Sequence, residues 1–122
     1  MKKLLSLTAL CVLLAACSST PPRYLASDEP IVNIDAQVAT QTQVMATRTQ
    51  VELKNLTDHL LNLQYQITWY DANGVTQLSD WSQSPPWLCV SLQGQSAVRM
   101  ALTKPTPASD NYRIYIMGKG RE

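Results

Sequence analysis

Leu61-Asn62-Leu63-Gln64-Tyr65-Gln66-Ile67-Thr68-Trp69-Tyr70 decides the fold. Leu61, Leu63, Tyr65, Ile67 and Trp69 alternate with Asn62, Gln64, Gln66, Thr68 and Tyr70, so successive side chains sort onto one apolar and one wet face. That is a half-buried strand. Asp71-Ala72-Asn73-Gly74 follows it, with Asp at the first position of a type I turn and Gly where the backbone turns left-handed, and closes a hairpin into Val75 to Leu78.

The same period continues on both sides. Thr49, Val51 and Leu53 alternate with Arg48, Gln50, Glu52 and Lys54, and the turn formers Asn55-Leu56-Thr57-Asp58-His59 separate that strand from the next. Downstream, a loop rich in Ser, Pro and Trp runs from Ser79 to Pro86, Trp87 to Leu92 reads as a strand, and Gln93-Gly94-Gln95 turns it into Ala97 to Thr103. A second Pro-containing loop, Lys104 to Asn111, leads to Tyr112, Ile114 and Ile116 alternating with Arg113, Tyr115 and Met117. With Ile31 to Asp35 these make about seven short strands and no helix after the leader. The expected fold is all-β, a small antiparallel immunoglobulin-like β-sandwich over residues 31–122.

The first thirty residues have a different composition. Lys2-Lys3, an apolar stretch from Leu4 to Leu14, and the small residues of Leu14-Ala15-Ala16-Cys17 have the layout of a lipoprotein export signal cut after residue 16. About eleven apolar positions are too few to span a bilayer, which takes about twenty. A diacylglyceryl group on the Cys17 sulfur, with a third acyl chain on its freed amine, holds a protein firmly, since each buried methylene adds about 0.8 kcal/mol. Ser18, not Asp, follows Cys17, which resembles lipoproteins sorted to the outer membrane. Residues 17–30, with Pro21, Pro22 and Pro30, read as the lipidated cysteine and an extended tether.

Composition narrows the function classes. Processing would leave 106 of the 122 residues, with eight Lys and Arg (ten less Lys2 and Lys3) against nine Asp and Glu, so no basic surplus points to nucleic acid. With Cys11 in the leader and Cys17 lipidated, Cys89 has no partner for an intrachain disulfide. It reads as a small apolar strand residue, or else as half of an intermolecular disulfide. His59 is the sole histidine, in a polar turn, and with Cys89 makes no metal site. Asp71, Asp80 and Asp110 read as turn and loop residues, not paired acids. No cofactor, metal or catalytic group is expected, and no enzymatic activity.

One segment stands out as a contact surface: Trp81-Ser82-Gln83-Ser84-Pro85-Pro86-Trp87. A Pro-Pro pair cannot continue a strand ladder, loops lie on the surface, and exposed aromatic rings are favoured anchors. Trp81, Pro85, Pro86 and Trp87 are the candidate partner-binding residues. The competing reading has both rings folded back to cap an open end of the sandwich. Tyr70 and Tyr115, on the polar faces of their strands, form either a second aromatic patch or cross-strand pairs.

Tyr65 to Gly74, with Val90-Ser91-Leu92 and Ser96-Ala97-Val98, resembles the YcfL-like family of periplasmic lipoproteins. The resemblance covers the leader and roughly residues 60–117, while Ser79 to Cys89 departs from the pattern. It implies a lipid-anchored periplasmic β domain without an established activity, and with Ser18 after Cys17 the expected location is the periplasmic face of the outer membrane. Trp69 and Asp110-x-Tyr112 are also similar to the core Trp and corner Tyr of immunoglobulin-type sandwiches. The functional expectation is a non-enzymatic binding or accessory module with an envelope protein partner. The alternative is a carrier or chaperone for a small apolar envelope molecule, which needs a cavity that a filled sandwich would lack.

Overall fold

The computed structural model describes residues 29–119; the leader, Cys17 and most of the tether lie outside them. Eight strands form two packed sheets: β1 (Ile31–Ile34), β2 (Thr42–Ala46), β3 (Gln50–Asn55), β4 (Leu61–Tyr70), β5 (Thr76–Gln77), β6 (Leu88–Leu92), β7 (Ala97–Ala101) and β8 (Asn111–Gly118). One sheet has β1-β8-β4 side by side, with β5 and β6 both on the far edge of β4; the other is β2-β3-β7. This is the expected all-β sandwich, with three differences.

The first is a one-turn helix, α1 (Ala36–Ala39), where none was expected. Asp35 caps it by accepting from the Gln37 amide at 3.2 Å, and its Val38 is buried against the end of β8. One turn is too short to show helical periodicity. The second is β2, whose inward residues Thr42, Val44 and Ala46 are too small and polar to make the alternation visible. The third is that β1 runs parallel to β8, while every other pairing is antiparallel.

The remaining strands follow their sequence pattern. Leu61, Leu63 and Trp69 of β4, Tyr112, Ile114 and Ile116 of β8, Val51 and Leu53 of β3 and Leu92 of β6 make the core. Trp69 lies opposite Tyr112 with ring centroids 5.0 Å apart. The turn after β4 forms as read: Asp71 accepts from the amides of Asn73 and Val75, both at 2.9 Å, and Gly74 has φ 85°.

Two polar pins join the sheets. The Asn55 side chain is fully buried; its amide donates to the carbonyls of His59 (2.7 Å), Leu92 (3.0 Å) and Gln93 (3.1 Å), and its oxygen accepts from the amide and hydroxyl of Thr57. It ties the β3–β4 crossover to the β6–β7 crossover. There Gly94 presses so close that a Cβ would stand 2.6 Å from the Asp58 carbonyl group. At the opposite end the Tyr112 hydroxyl donates to the Thr47 carbonyl between β2 and β3, beside the Arg48–Asp110 ion pair at 3.3 Å. The corner role expected of Tyr112 is therefore an inter-sheet bond to a residue far upstream.

Asn55→Ala removes every bond of the first pin, among them the buried one to the Leu92 carbonyl, so it should cost about 3 kcal/mol in urea unfolding. Burial pushes the Tyr112 phenol from 10.0 up to about 12. Because the folded value lies above the unfolded one, its stabilisation is whole below about pH 10 and lost as the pH climbs through about 12. Unfolding free energies measured across that window should fall, and fall less in Tyr112→Phe.

Candidate functional site

β4 is the longest strand, and its outer edge is shared. β6 pairs with Leu61–Tyr65 and β5 with Trp69–Tyr70, leaving Gln66 to Thr68 without a strand neighbour on that side. There the chain leaves the sheet at Leu78 and rejoins it at Leu88. Pro85 and Pro86 have no amide hydrogen to offer a ladder, which forbids a direct route. A local turn shapes the excursion: Asp80 accepts from the Ser82 amide (2.9 Å) and hydroxyl (2.7 Å), and the Gln83 amide donates to the Asp80 carbonyl (3.2 Å). Those bonds hold the exposed Asp80 carboxyl below its ordinary value. From the unpaired part of β4, Gln66 donates to the Pro85 carbonyl at 2.8 Å and moors the loop.

Beneath the excursion lies a groove of about 390 Å³, open to solvent. Tyr65, Ile67 and Leu88 form its floor, Pro85 and Pro86 one wall, and Leu102 and Pro105, just beyond β7, the other. The opposing sheet is three strands wide and this one four, β5 and β6 sharing an edge, and the part of that edge around Leu88 is left uncovered while Leu92 at the other end of β6 is buried. Leu88 shows the consequence: its register opposite Tyr65 puts it on the inner face, yet it is 46% exposed. The interior between the sheets is filled, as expected, and the groove is a surface opening along one flank. At the rim, Thr106 donates to Gln77 at 2.7 Å, and partial burial raises the Tyr65 phenol above its ordinary value.

The four residues singled out in the loop do not act together. Pro85 and Pro86 line the groove, Trp81 is 69% exposed, and Trp87 turns to the outer face of the sheet. There its ring meets Tyr115 edge-to-face at 5.9 Å and 87°. Trp87 borders a shallow depression of about 260 Å³ with Gln66, Thr68, Tyr70, Arg113 and Tyr115. Neither indole caps the end of the sandwich.

A family model described as "Protein of unknown function (DUF1425)" matches residues 31–118, from the first residue of β1 to the last of β8. The chain belongs to the DUF1425 family. An uncharacterized protein of Haemophilus influenzae is 38% identical to it over 104 residues, covering 85% of this chain and 90% of that protein. A DUF1425 family member from a Shewanella species superposes with a TM-score of 0.49 at 21% identity, covering 66% of this chain and 76% of that one. A Campylobacter jejuni protein superposes at 0.50 and 12% identity, over 75% of this chain and all of that one, a likeness of fold alone.

Of the polar residues weighed in the sequence of this DUF1425 domain, Asp80 lines the groove and the rest stay apart from it. His59 and Asp58 are exposed in the β3–β4 turn, and Asp110 pairs with Arg48. Cys89 is an exposed free thiol, so it does not pack as a small apolar strand residue; Leu88 and Val90 take the inner positions and turn it outward. Among the described residues, no three His, Cys, Asp or Glu side chains cluster as metal ligands. Leu88, Leu102 and Arg113 were not singled out from sequence, because which strand lacks an opposing neighbour is a property of the assembled sheets.

Gln66→Ala should release the loop without unsettling the sandwich. Hydrogen exchange at residues 79–84 should speed up, while global stability changes by about 1 kcal/mol or less.

Proposed function

We propose that this DUF1425 protein is a lipid-anchored, YcfL-like envelope lipoprotein that acts as a non-enzymatic binding module on the periplasmic face of the outer membrane. The observation that carries the binding role is the groove under the 78–88 excursion. Its floor is apolar, one wall is a Pro-Pro pair with no amide hydrogens, and the inner face of Leu88 lies uncovered. An apolar segment of an envelope protein would cover that surface and gain about 25 cal/mol for each Å² removed from water. The address is supported by Lys2-Lys3, the apolar run from Leu4 to Leu14 and Leu14-Ala15-Ala16-Cys17. Residues 18–28 would then give the domain reach from the lipid surface.

A second reading is favoured by the size of the groove. About 390 Å³ falls within the range of roughly 300–1,000 Å³ typical of small-ligand sites, which suits a carrier or chaperone for a small apolar molecule. Its open side suits a chain segment better.

A photoreactive residue at Ser84 in intact cells should give a discrete protein adduct that Leu88→Arg abolishes. No adduct, or one indifferent to Leu88→Arg, would remove the groove from the proposal. An apolar small molecule found by native mass spectrometry on the intact protein would replace the leading reading with the second. The mass of the N-terminal peptide tests the anchor independently: it should carry acyl chains on Cys17, and an unprocessed N-terminus without them would overturn the address.

A further inference from the structure

We propose that the outward face of the five-stranded sheet binds an acidic glycan, with sugar rings on the Trp87–Tyr115 pair and Tyr70 and a carboxylate on Arg113. The site is independent of the groove and lies on the opposite face of β4. Three observations carry it. The first is the field of charge. The outward positions of β1, β8, β4 and β6 are occupied by Ile31, Asn33, amides, hydroxyls, tyrosines, Met117 and Cys89, and the only formal charge among them is Arg113. No acid shares the strands' outer face. The acids that border it are Asp71 and Asp110, committed to turn amides and to Arg48, and, at the two ends of β1, Asp35, which caps α1, and Glu29, whose carbonyl accepts from Asn111.

The second is unused hydrogen-bonding capacity. Among the described residues, Arg113, Thr68, Gln64 and Asn33 make no side-chain hydrogen bond or ion pair, nor do the hydroxyls of Tyr70 and Tyr115. A protein hot spot is dry and apolar at its centre, whereas this face offers donors and acceptors between its rings, as a polyhydroxylated ligand requires. The third is the spacing. Tyr115 lies opposite Gln66, Arg113 opposite Thr68 and Asn111 opposite Tyr70. The aromatic pair and Tyr70 are therefore about 13 Å apart along the strands, with the guanidinium between them. A short run of pyranose rings spans that distance, its apolar CH faces on the rings and its hydroxyls toward the amides. The Arg113 fork can take a carboxylate bidentately. Trp87 and Tyr115 are 45% and 38% exposed, so their rings are accessible as the platform needs.

Affinity electrophoresis of the detergent-solubilised full chain, in gels containing polygalacturonate, dextran or polyglutamate, tests the proposal. Polygalacturonate should retard the protein, dextran weakly, and polyglutamate, which has the carboxylates without sugar rings, hardly at all. Trp87→Ala should weaken retardation by polygalacturonate about tenfold or more, and Arg113→Gln should erase the preference over dextran, a change of about tenfold. Pro85→Ala, in the groove wall, should change nothing. Urea midpoints of the variants establish that they fold. Equal retardation by polyglutamate, no retardation by either polysaccharide, or folded Trp87→Ala and Arg113→Gln proteins that behave as the parent would each overturn it.

Discussion

The carboxamide of Asn55 is the constraint on which the architecture rests. The chain passes between sheets at the β3–β4 turn and again at the β6–β7 turn, and Asn55 binds backbone groups of both. The turns are zipped further by the Gln95 amide on the Thr57 carbonyl (2.9 Å) and the Gln95 side chain on the Leu56 carbonyl (3.0 Å). Those bonds help hold Gln95 at φ 62°, a conformation that costs a non-glycine residue free energy. A buried amide with every bond made favours one arrangement, because any slip of either crossover strands a carbonyl away from water.

With these two crossovers held at one end and Tyr112 joined to Thr47 at the other, the two sheets are fixed relative to each other. Three strands lie over a sheet four strands wide, since β5 and β6 share one edge of β4. β3, in the middle of its sheet, covers the core with Val51 and Leu53, and the uncovered strip falls at Gln77 of β5 and Leu88 of β6, while Leu92 at the other end of β6 is buried. The same strip is where β4 outruns its edge partners. The open flank and the excursion therefore have one origin: a ten-residue strand flanked on one side by a two-residue strand and a five-residue strand.

Much of this was legible in the residues. Alternation in β4, β3, β7 and β8 carries strong amplitude because large apolar side chains oppose amides and charges, and Asp71-Ala72-Asn73-Gly74 specifies its own turn. β2 and α1 were not legible, the first because Thr42, Val44 and Ala46 resemble loop residues, the second because one capped turn has no period. The parallel β1–β8 pair could not be read either, since a four-residue strand carries no mark of its direction. At the candidate site, Pro85-Pro86 and the flanking indoles marked a loop correctly. The direction in which each ring would face depended on the sheet edge, which is a long-range property. Cys89 shows the same limit: its apolar neighbours suggested a small apolar strand residue, while the register turned it outward.

Trp87 and Pro86 are adjacent in sequence yet serve opposite faces of the sheet, and that separation follows from strand geometry. As the excursion re-enters β6, successive side chains must alternate, so Leu88 goes in while Trp87 goes out. The proline pair fixes where the chain resumes, and Gln66 fixes how far it stands from β4 by holding the Pro85 carbonyl. Gln66 also borders the outer depression. A change confined to Pro85 or Leu88 thus alters the groove and leaves the ring pair in register, whereas a change at Trp87 strips Tyr115 of its partner and leaves the groove wall standing. The groove and the outer face share one loop but can be altered separately.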